Sequence, residues 1–163
     1  TKCWSPERYA VLARRLWRDL RLRSAVLWGP GEERIAHKIC EASEGASVLT
    51  PSTTISDMVA HMRAAAVVVA GDTGPLHVAA AVGTPVVGIY GPSDPERNGP
   101  WSPIDQVVSP TAPCRCRVDR KERGSTAVVV RQCFQDTPCV DEIDVDDVFD
   151  AVERRLNLQV THD

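Results

Sequence analysis

Helical and extended hydrophobic patterns alternate along the chain. Apolar residues recur at helical spacing after Ser5, Gly31, Ser56 and Asp144. Between them stand short apolar runs that predict strands at 25–28, 48–49, 67–70, 85–90 and 106–109. Strands that alternate with helices form right-handed βαβ units, so the pattern predicts an α/β fold with a Rossmann-like, doubly wound parallel sheet.

Capping residues delimit the predicted helices. Ser5 followed by Pro6 predicts a first helix that ends near residue 22, because Ser caps and Pro is tolerated in the first turn. Ser56 is predicted to cap a helix over 57–65, and a helix over 75–82 should end at Gly83. A helix over 32–43 is expected to turn three side chains inward: Ile35, Ala36 and Ile39.

The run without alternation at 67–70 predicts a strand that is buried on both faces. Polar loops follow it at 71–74 and follow the next strand at 91–94. Ligands of doubly wound sheets bind at the carboxyl ends of the strands, so both loops are expected to face a ligand crevice.

The first of these loops leads directly into a helix, whose unpaired N–H groups suit a phosphate. Gly74 would allow close approach of the backbone, and Thr73 adds a hydroxyl donor. Asp72 would repel phosphate but would suit sugar hydroxyls, and His77 falls within reach of the same crevice. The structural alternative is that Asp72 or Thr73 only caps the helix. In the proline-rich loop 91–103, Arg97 is a possible anion contact, or the loop is a rigid connection.

Composition narrows the class of protein. The chain has 163 residues, 43% hydrophobic, with a formal net charge of −3, which indicates one globular domain and no general attraction to nucleic acid. The sequence contains neither a long apolar run nor a basic-then-apolar leader, which predicts a cytoplasmic location. Its first residues resemble the middle of a domain, so we expect a fragment.

Cysteines cluster in the segment 110–142, which has little periodicity and is predicted to be an irregular insertion. The spacing is not the common zinc pattern of paired C-x2-C, so free thiols, a structural metal and disulfides all stay open. The cysteines concerned are Cys114, Cys116, Cys133 and Cys139.

Six short segments occur in an ordered series. They read KCWSPERY (2–9), WGPGEE (28–33), DTGPLH (72–77), AAA (79–81), GTP (83–85) and YGPSDP (90–95). Each is weak alone, but in this order and spacing the set resembles glycosyltransferase family nine, the bacterial heptosyltransferases of lipopolysaccharide core assembly. The resemblance covers about residues 2–109 and matches the C-terminal domain of the family.

The resemblance implies the GT-B fold, in which two Rossmann-like domains face a cleft and the C-terminal one binds the nucleotide-sugar donor. The donor would be ADP-heptose, and the acceptor a glycolipid of the lipopolysaccharide core, reached from the inner face of the inner membrane. Transfer would invert the anomeric centre in one displacement, with no required metal or cofactor.

The resemblance also implies residue roles. Lys2 would contact donor phosphate, Glu33 or Glu32 would hold ribose hydroxyls, and Asp72 would bind hydroxyls of the transferred sugar. The diphosphate would accept hydrogen bonds from the backbone of Thr73, Gly74 and Leu76. His77 would line the same site.

Two family features are missing from this sequence. The strand and Pro-Gly loop that precede the Lys2 segment are absent, and so is the N-terminal acceptor domain that carries the catalytic base. We therefore name no base in residues 1–163 and expect the domain to lack its first strand. Two alternatives stay open: a stand-alone nucleotide-sugar-binding or regulatory module, and a related GT-B epimerase that a bound uridine nucleotide would favour.

Overall fold

A computed structural model describes residues 3–112 and 138–160. Strands and helices alternate through residues 3–112, and residues 138–160 contain a 3-10 helix and a long α-helix. The elements are α1 (Pro6–Leu20), β1 (Ser24–Val26), α2 (Glu33–Ala42), β2 (Ser47–Leu49), α3 (Ile55–Ala64), β3 (Val68–Gly71), α4 (Gly74–Ala81), β4 (Val86–Ile89), α5 (Pro95–Asn98), β5 (Gln106–Val108), the 3-10 helix (Cys139–Glu142) and α6 (Val145–Val160).

All the described strands pair in parallel, which confirms the predicted α/β class. In the first pair, Ala25 of β1 lies opposite Val48 of β2. The second sheet has the order β3-β4-β5, with Val69 opposite Val87. The strands thus form two hydrogen-bonded sheets instead of the single sheet we predicted. The reason is that, within the described ranges, no strand pairs with both β1 and β3.

Helices cover both faces of the three-stranded sheet, as a doubly wound fold requires. Val87 and Ile89 of β4 belong to a core cluster with side chains of α1 and α6. Val86 and Tyr90 point the other way and pack with Met62 of α3 and with α4. This alternation around a fully buried β4 fixes the position of the loops at its carboxyl end.

β3 is less buried than its sequence predicts. Val68, Val69 and Ala70 are half-buried, and only Gly71 is fully buried. The prediction of a strand buried on both faces is therefore wrong for β3 and right for β4. β3 has β4 on one side, and in the described part of the chain no strand pairs with its other edge. Apolar composition alone does not distinguish a central strand from an edge strand.

Two helix boundaries also differ from the predictions. α3 begins two residues earlier than expected, because Thr54 and not Ser56 caps it. α1 ends at Leu20, because Arg21 adopts a left-handed conformation (φ 57°) and its backbone N–H bonds to the carbonyl of Leu16. The predicted Ser5 cap of α1 is confirmed, since the hydroxyl accepts from Arg8 N at 3.2 Å.

The inward face predicted for α2 is only partly right. Ala36 is buried and Ile39 half-buried, but Ile35 is 48% exposed. Since α2 packs against α1 and the short β1–β2 sheet, its contact face is narrow.

None of the helices in the described ranges has the length and apolar character needed to cross a bilayer.

Candidate donor site

The candidate site lies where β3 ends and α4 begins. Thr73 occupies the position before the helix in extended conformation (φ −140°, ψ 163°), and its side chain makes no capping hydrogen bond. Its hydroxyl donates instead to the carbonyl of Gly71 at 3.2 Å. The first-turn amides of α4 are therefore not capped by Thr73, which leaves this helix start suited to an anion.

Asp72 occupies the centre of this loop. One carboxylate oxygen, Oδ1, lies 3.2 Å from His77 Nε2. The other, Oδ2, accepts a hydrogen bond from Asn98 Nδ2 at 3.3 Å. The Asp72 side chain is 12% exposed and the His77 side chain 45% exposed, so the carboxylate is largely buried while the imidazole is open to solvent. Asp72 is therefore oriented by other side chains and does not cap α4.

Gly74 and Leu76 have different surroundings. A Cβ placed on Gly74 would meet no heavy atom within 4 Å, so a ligand could approach its backbone. Leu76 has a buried side chain, and its amide donates to the carbonyl of Thr73 at 3.1 Å. Of the predicted backbone donors, Leu76 thus already has a partner among the described residues.

The segment that precedes α1 lies close to this loop. Trp4 is buried, donates from Nε1 to the carbonyl of Ile143 at 3.0 Å, and meets the Tyr9 ring edge to face at 5.0 Å. Burial, and then the nearby Cys3, raise the pKa of the Tyr9 hydroxyl, while a hydrogen bond with the Gly71 backbone acts in the opposite direction. Tyr9 thus joins the start of α1 to the end of β3.

This junction bears on the Lys2 prediction. Lys2 itself lies outside the described residues. Cys3 and Trp4 follow it directly and lie near Tyr9, the residue that bonds to the backbone of Gly71 at the end of β3. Arg8 strengthens the junction by donating to the backbone carbonyls of Asp141 (2.7 Å) and Ile143. This contact joins residues far apart in sequence and was not predicted.

Glu32 and Glu33 lie at the carboxyl end of β1, on the other sheet. Glu32 precedes α2, and its Oε2 accepts from the amide of Gly29 at 2.9 Å. Glu33 is exposed in the first turn of α2. Because the carboxylate of Glu32 closes its own loop, Glu33 is the better candidate for ribose hydroxyls.

The segment from the end of β4 through α5 contains two residues that sequence reasoning missed. Tyr90, which is fully buried, donates from its hydroxyl to the carbonyl of Asn98 at 2.8 Å, and Asn98 in turn reaches Asp72. A Cβ at Gly88 would lie only 2.5 Å from the Tyr90 ring, so Gly88 leaves room for this ring, and the spacing of the two residues in the sequence does not reveal it. The predicted anion contact, Arg97, is exposed on the same short helix.

Metal binding finds no support within the described ranges, which hold no group of three or more side chains able to bind an ion. Cys139 is buried at the start of the 3-10 helix, while Cys114, Cys116 and Cys133 lie outside the described residues. The acidic residues that open α6 contact arginines of α1: Asp144 approaches Arg8 at 4.0 Å, and Asp146 pairs with Arg15. They belong to a helix start, as the sequence predicted.

Comparison with known proteins gives an independent view of this domain. The model of glycosyltransferase family 9 (heptosyltransferase) matches residues 1–126. Lipopolysaccharide heptosyltransferase 2 of Escherichia coli K12 is 32% identical over 111 residues, which is 66% of this chain and 32% of that protein.

Solved structures agree on the fold. A glycosyl transferase family 9 structure from Veillonella parvula DSM 2008 superposes with a TM-score of 0.75 at 22% identity, covering 95% of this chain and 42% of that one. An E. coli heptosyltransferase solved with ADP superposes with a TM-score of 0.61 at 26% identity, covering 76% of this chain and 40% of that one. The predicted Rossmann-like heptosyltransferase fold is confirmed, and residues 1–163 span less than half the length of each of these three relatives. The chain belongs to glycosyltransferase family 9, the heptosyltransferase family.

Proposed function

We propose that residues 1–163 form the donor-binding half of an inverting heptosyltransferase that uses ADP-heptose and a glycolipid acceptor of the lipopolysaccharide core. One observation carries the proposal: α4 begins without a side-chain cap, beside a carboxylate that other side chains orient. An uncapped helix start suits the diphosphate, and an oriented carboxylate suits sugar hydroxyls. The E. coli relative that was solved with ADP supports the same nucleotide.

In this mechanism the domain stabilises the leaving group. The amides at the start of α4 and the ammonium of Lys2 would stabilise the negative charge that develops on ADP. Thr73 and Gly74 would contribute backbone donors, Asp72 would hold the heptose, and His77 would line the same site. A base on the N-terminal acceptor domain would deprotonate the acceptor hydroxyl, since transfer in this fold occurs between two domains.

Within residues 3–112 and 138–160, one edge each of β1 and β3 has no strand partner, and this supports a further part of the proposal. α1 packs beneath both sheets, and β3 leaves apolar side chains half-exposed. An unpaired apolar strand edge is an association hazard that proteins normally cover. We propose that a parallel strand from elsewhere in the full-length protein pairs between β1 and β3, and that the N-terminal domain faces the loop after β3.

Location follows from the proposed acceptor. The protein would act in the cytoplasm, at the inner face of the inner membrane where the glycolipid is held. Neither nucleic acid nor a metal cofactor has a part in this proposal.

A transfer assay tests the proposed function. The full-length protein should transfer heptose from ADP-heptose to a lipopolysaccharide-core acceptor, while residues 1–163 alone should not. Near-equal rates for the two would overturn the two-domain proposal. Tight binding of ADP-heptose by the full-length protein without transfer would point to the regulatory module. Preference for a uridine nucleotide would point to the epimerase.

A further inference from the structure

Asp72 is held by a residue that is distant in sequence. Asn98, 26 positions later at the end of α5, donates from Nδ2 to Asp72 Oδ2 at 3.3 Å. A carboxylate only accepts hydrogen bonds, so the amide must present its nitrogen. This contact exists because α5 folds back over the loop after β3.

The backbone of α5 fixes the position of Asn98. The amide of Asn98 donates to the carbonyl of Asp94 at 2.9 Å, and the amide of Gly99 donates to the carbonyl of Pro95 at 2.8 Å. A Cβ on Gly99 would lie 2.4 Å from that same Pro95 oxygen, so this turn is closely packed. None of these bonds uses the Asn98 side chain, which can therefore be changed without removing them.

Tyr90 anchors the end of α5 to the core. Its ring is buried in the cluster that contains Leu76, and its hydroxyl donates to the carbonyl of Asn98 at 2.8 Å. Burial, followed by the negative charge of Asp72, raises the pKa of this hydroxyl to about 12. The hydroxyl therefore stays protonated and remains a donor at any physiological pH.

We propose that Asn98 is a positioning residue that orients the Asp72 carboxylate toward the transferred sugar, with Tyr90 as its anchor in the core. The inference rests on the proposed donor role of Asp72 and deepens it. Asn98 and the Tyr90 hydroxyl are both uncharged, so this contact orients the carboxylate by the geometry of its hydrogen bond.

The first test is Asn98→Ala in the full-length protein. We expect kcat/KM for ADP-heptose to fall about 5- to 10-fold, the loss expected for one typical hydrogen bond, because Asn98 acts through Asp72 and not on the sugar itself. Calorimetric affinity for ADP should stay within about twofold. Asn98→Asp should be worse than Asn98→Ala, because a second carboxylate would repel Asp72. Glu96→Ala is the matched control, since Glu96 is exposed on the same helix, and it should change neither quantity.

A double-mutant cycle separates positioning from a general structural effect. If Asn98 acts through Asp72, then adding Asn98→Ala to Asp72→Ala should lower kcat/KM no further. Tyr90→Phe should give a smaller loss of about two- to fourfold, because the hydroxyl acts one step farther from the sugar.

The outcomes distinguish this inference from the proposed function. Unchanged ADP-heptose kinetics in Asn98→Ala, or additive losses that affect ADP and ADP-heptose equally, would overturn the positioning role while the donor site stands. If the unaltered protein binds neither ADP nor ADP-heptose, the proposed function itself fails.

Discussion

The starts of α3 and α4 use similar residues in opposite ways. At α3, the Thr54 hydroxyl accepts from the amide of Asp57 at 3.2 Å, and the Asp57 carboxylate accepts from the amide of Thr54 at 2.9 Å. This capping box satisfies the helix from within its first turn. At α4, neither Thr73 nor Asp72 folds onto the helix in this way.

The difference shows which helix start is available to a ligand. The polar groups of α3 face each other, whereas Asp72 contacts His77 and Asn98, and Thr73 bonds backward to Gly71. Where side chains already accept hydrogen bonds from the first amides of a helix, fewer of those amides are available to an anion. Four predictions can break or sharpen this contrast.

Loss of Asp72 should have the largest effect. In the full-length protein, Asp72→Ala is expected to lower kcat for ADP-heptose about 10- to 100-fold, because hydrogen bonds to a charged group contribute roughly 1.5–3 kcal/mol. Calorimetric affinity for ADP should be nearly unchanged, since the carboxylate is proposed to hold the sugar. Asp57→Ala is the matched control at α3 and should preserve turnover. Equal losses of turnover and ADP affinity would show instead that Asp72 supports the loop.

A side chain at Gly74 should obstruct the ligand without harming the fold. A Cβ there meets nothing within 4 Å, so Gly74→Ala and Gly74→Val should fold normally. Affinity for ADP should fall by about tenfold or more for Val and by less for Ala, which corresponds to roughly 1.4 kcal/mol or more. Calorimetry and thermal melting measure the two quantities. Unchanged affinity in Gly74→Val would mean that the nucleotide binds elsewhere.

The two threonines should separate stability from binding. Thr54→Ala removes a side-chain cap and is expected to cost about 1 kcal/mol of unfolding free energy, with donor affinity unchanged. Thr73→Ala removes no cap and should cost only a few tenths of that. It should weaken ADP binding a few-fold, because it removes the hydroxyl bond to Gly71 that holds the loop and its backbone donors in place. Urea unfolding and calorimetry on both variants give the comparison. A Thr73→Ala variant as unstable as Thr54→Ala would contradict the described contrast.

Acid should remove the stabilising effect of Asp57. Hydrogen bonds from the Thr54 side chain, and next from its backbone, hold the pKa of Asp57 below its ordinary value of 3.8. A lowered folded-state pKa stabilises the protein above that ordinary value, and the effect is lost as pH falls through the folded-state pKa. At neutral pH, the free energy of unfolding of the unsubstituted protein should therefore exceed that of Asp57→Asn by a small amount. This difference should disappear as the pH falls below 3.8. A gap that widens in acid would have the wrong sign.

Local patterns in the sequence predicted much of the fold of this protein. The strands, most helix limits, the Ser5 cap and the family could be predicted, because periodicity, capping and ordered short motifs are properties of neighbouring residues. The cap of α3 was predictable too, since Thr54 and Asp57 form a local box, but Ser56 was preferred. The donor roles of Lys2, Glu33, Asp72 and the others stay predictions.

The sequence by itself determined the α/β class and the loop at which Asp72, Thr73 and Gly74 meet, since strand, turn and helix start are adjacent along the chain. Only the tertiary structure decided that β3 pairs on one edge alone among the described residues and that Tyr9 joins the first helix to Gly71. It alone also showed that Tyr90 bonds to the backbone of Asn98, whose side chain reaches Asp72. The physical reason is that these contacts join residues far apart in sequence. They form only when helices pack on a sheet, and no local pattern records which side chains that packing brings together.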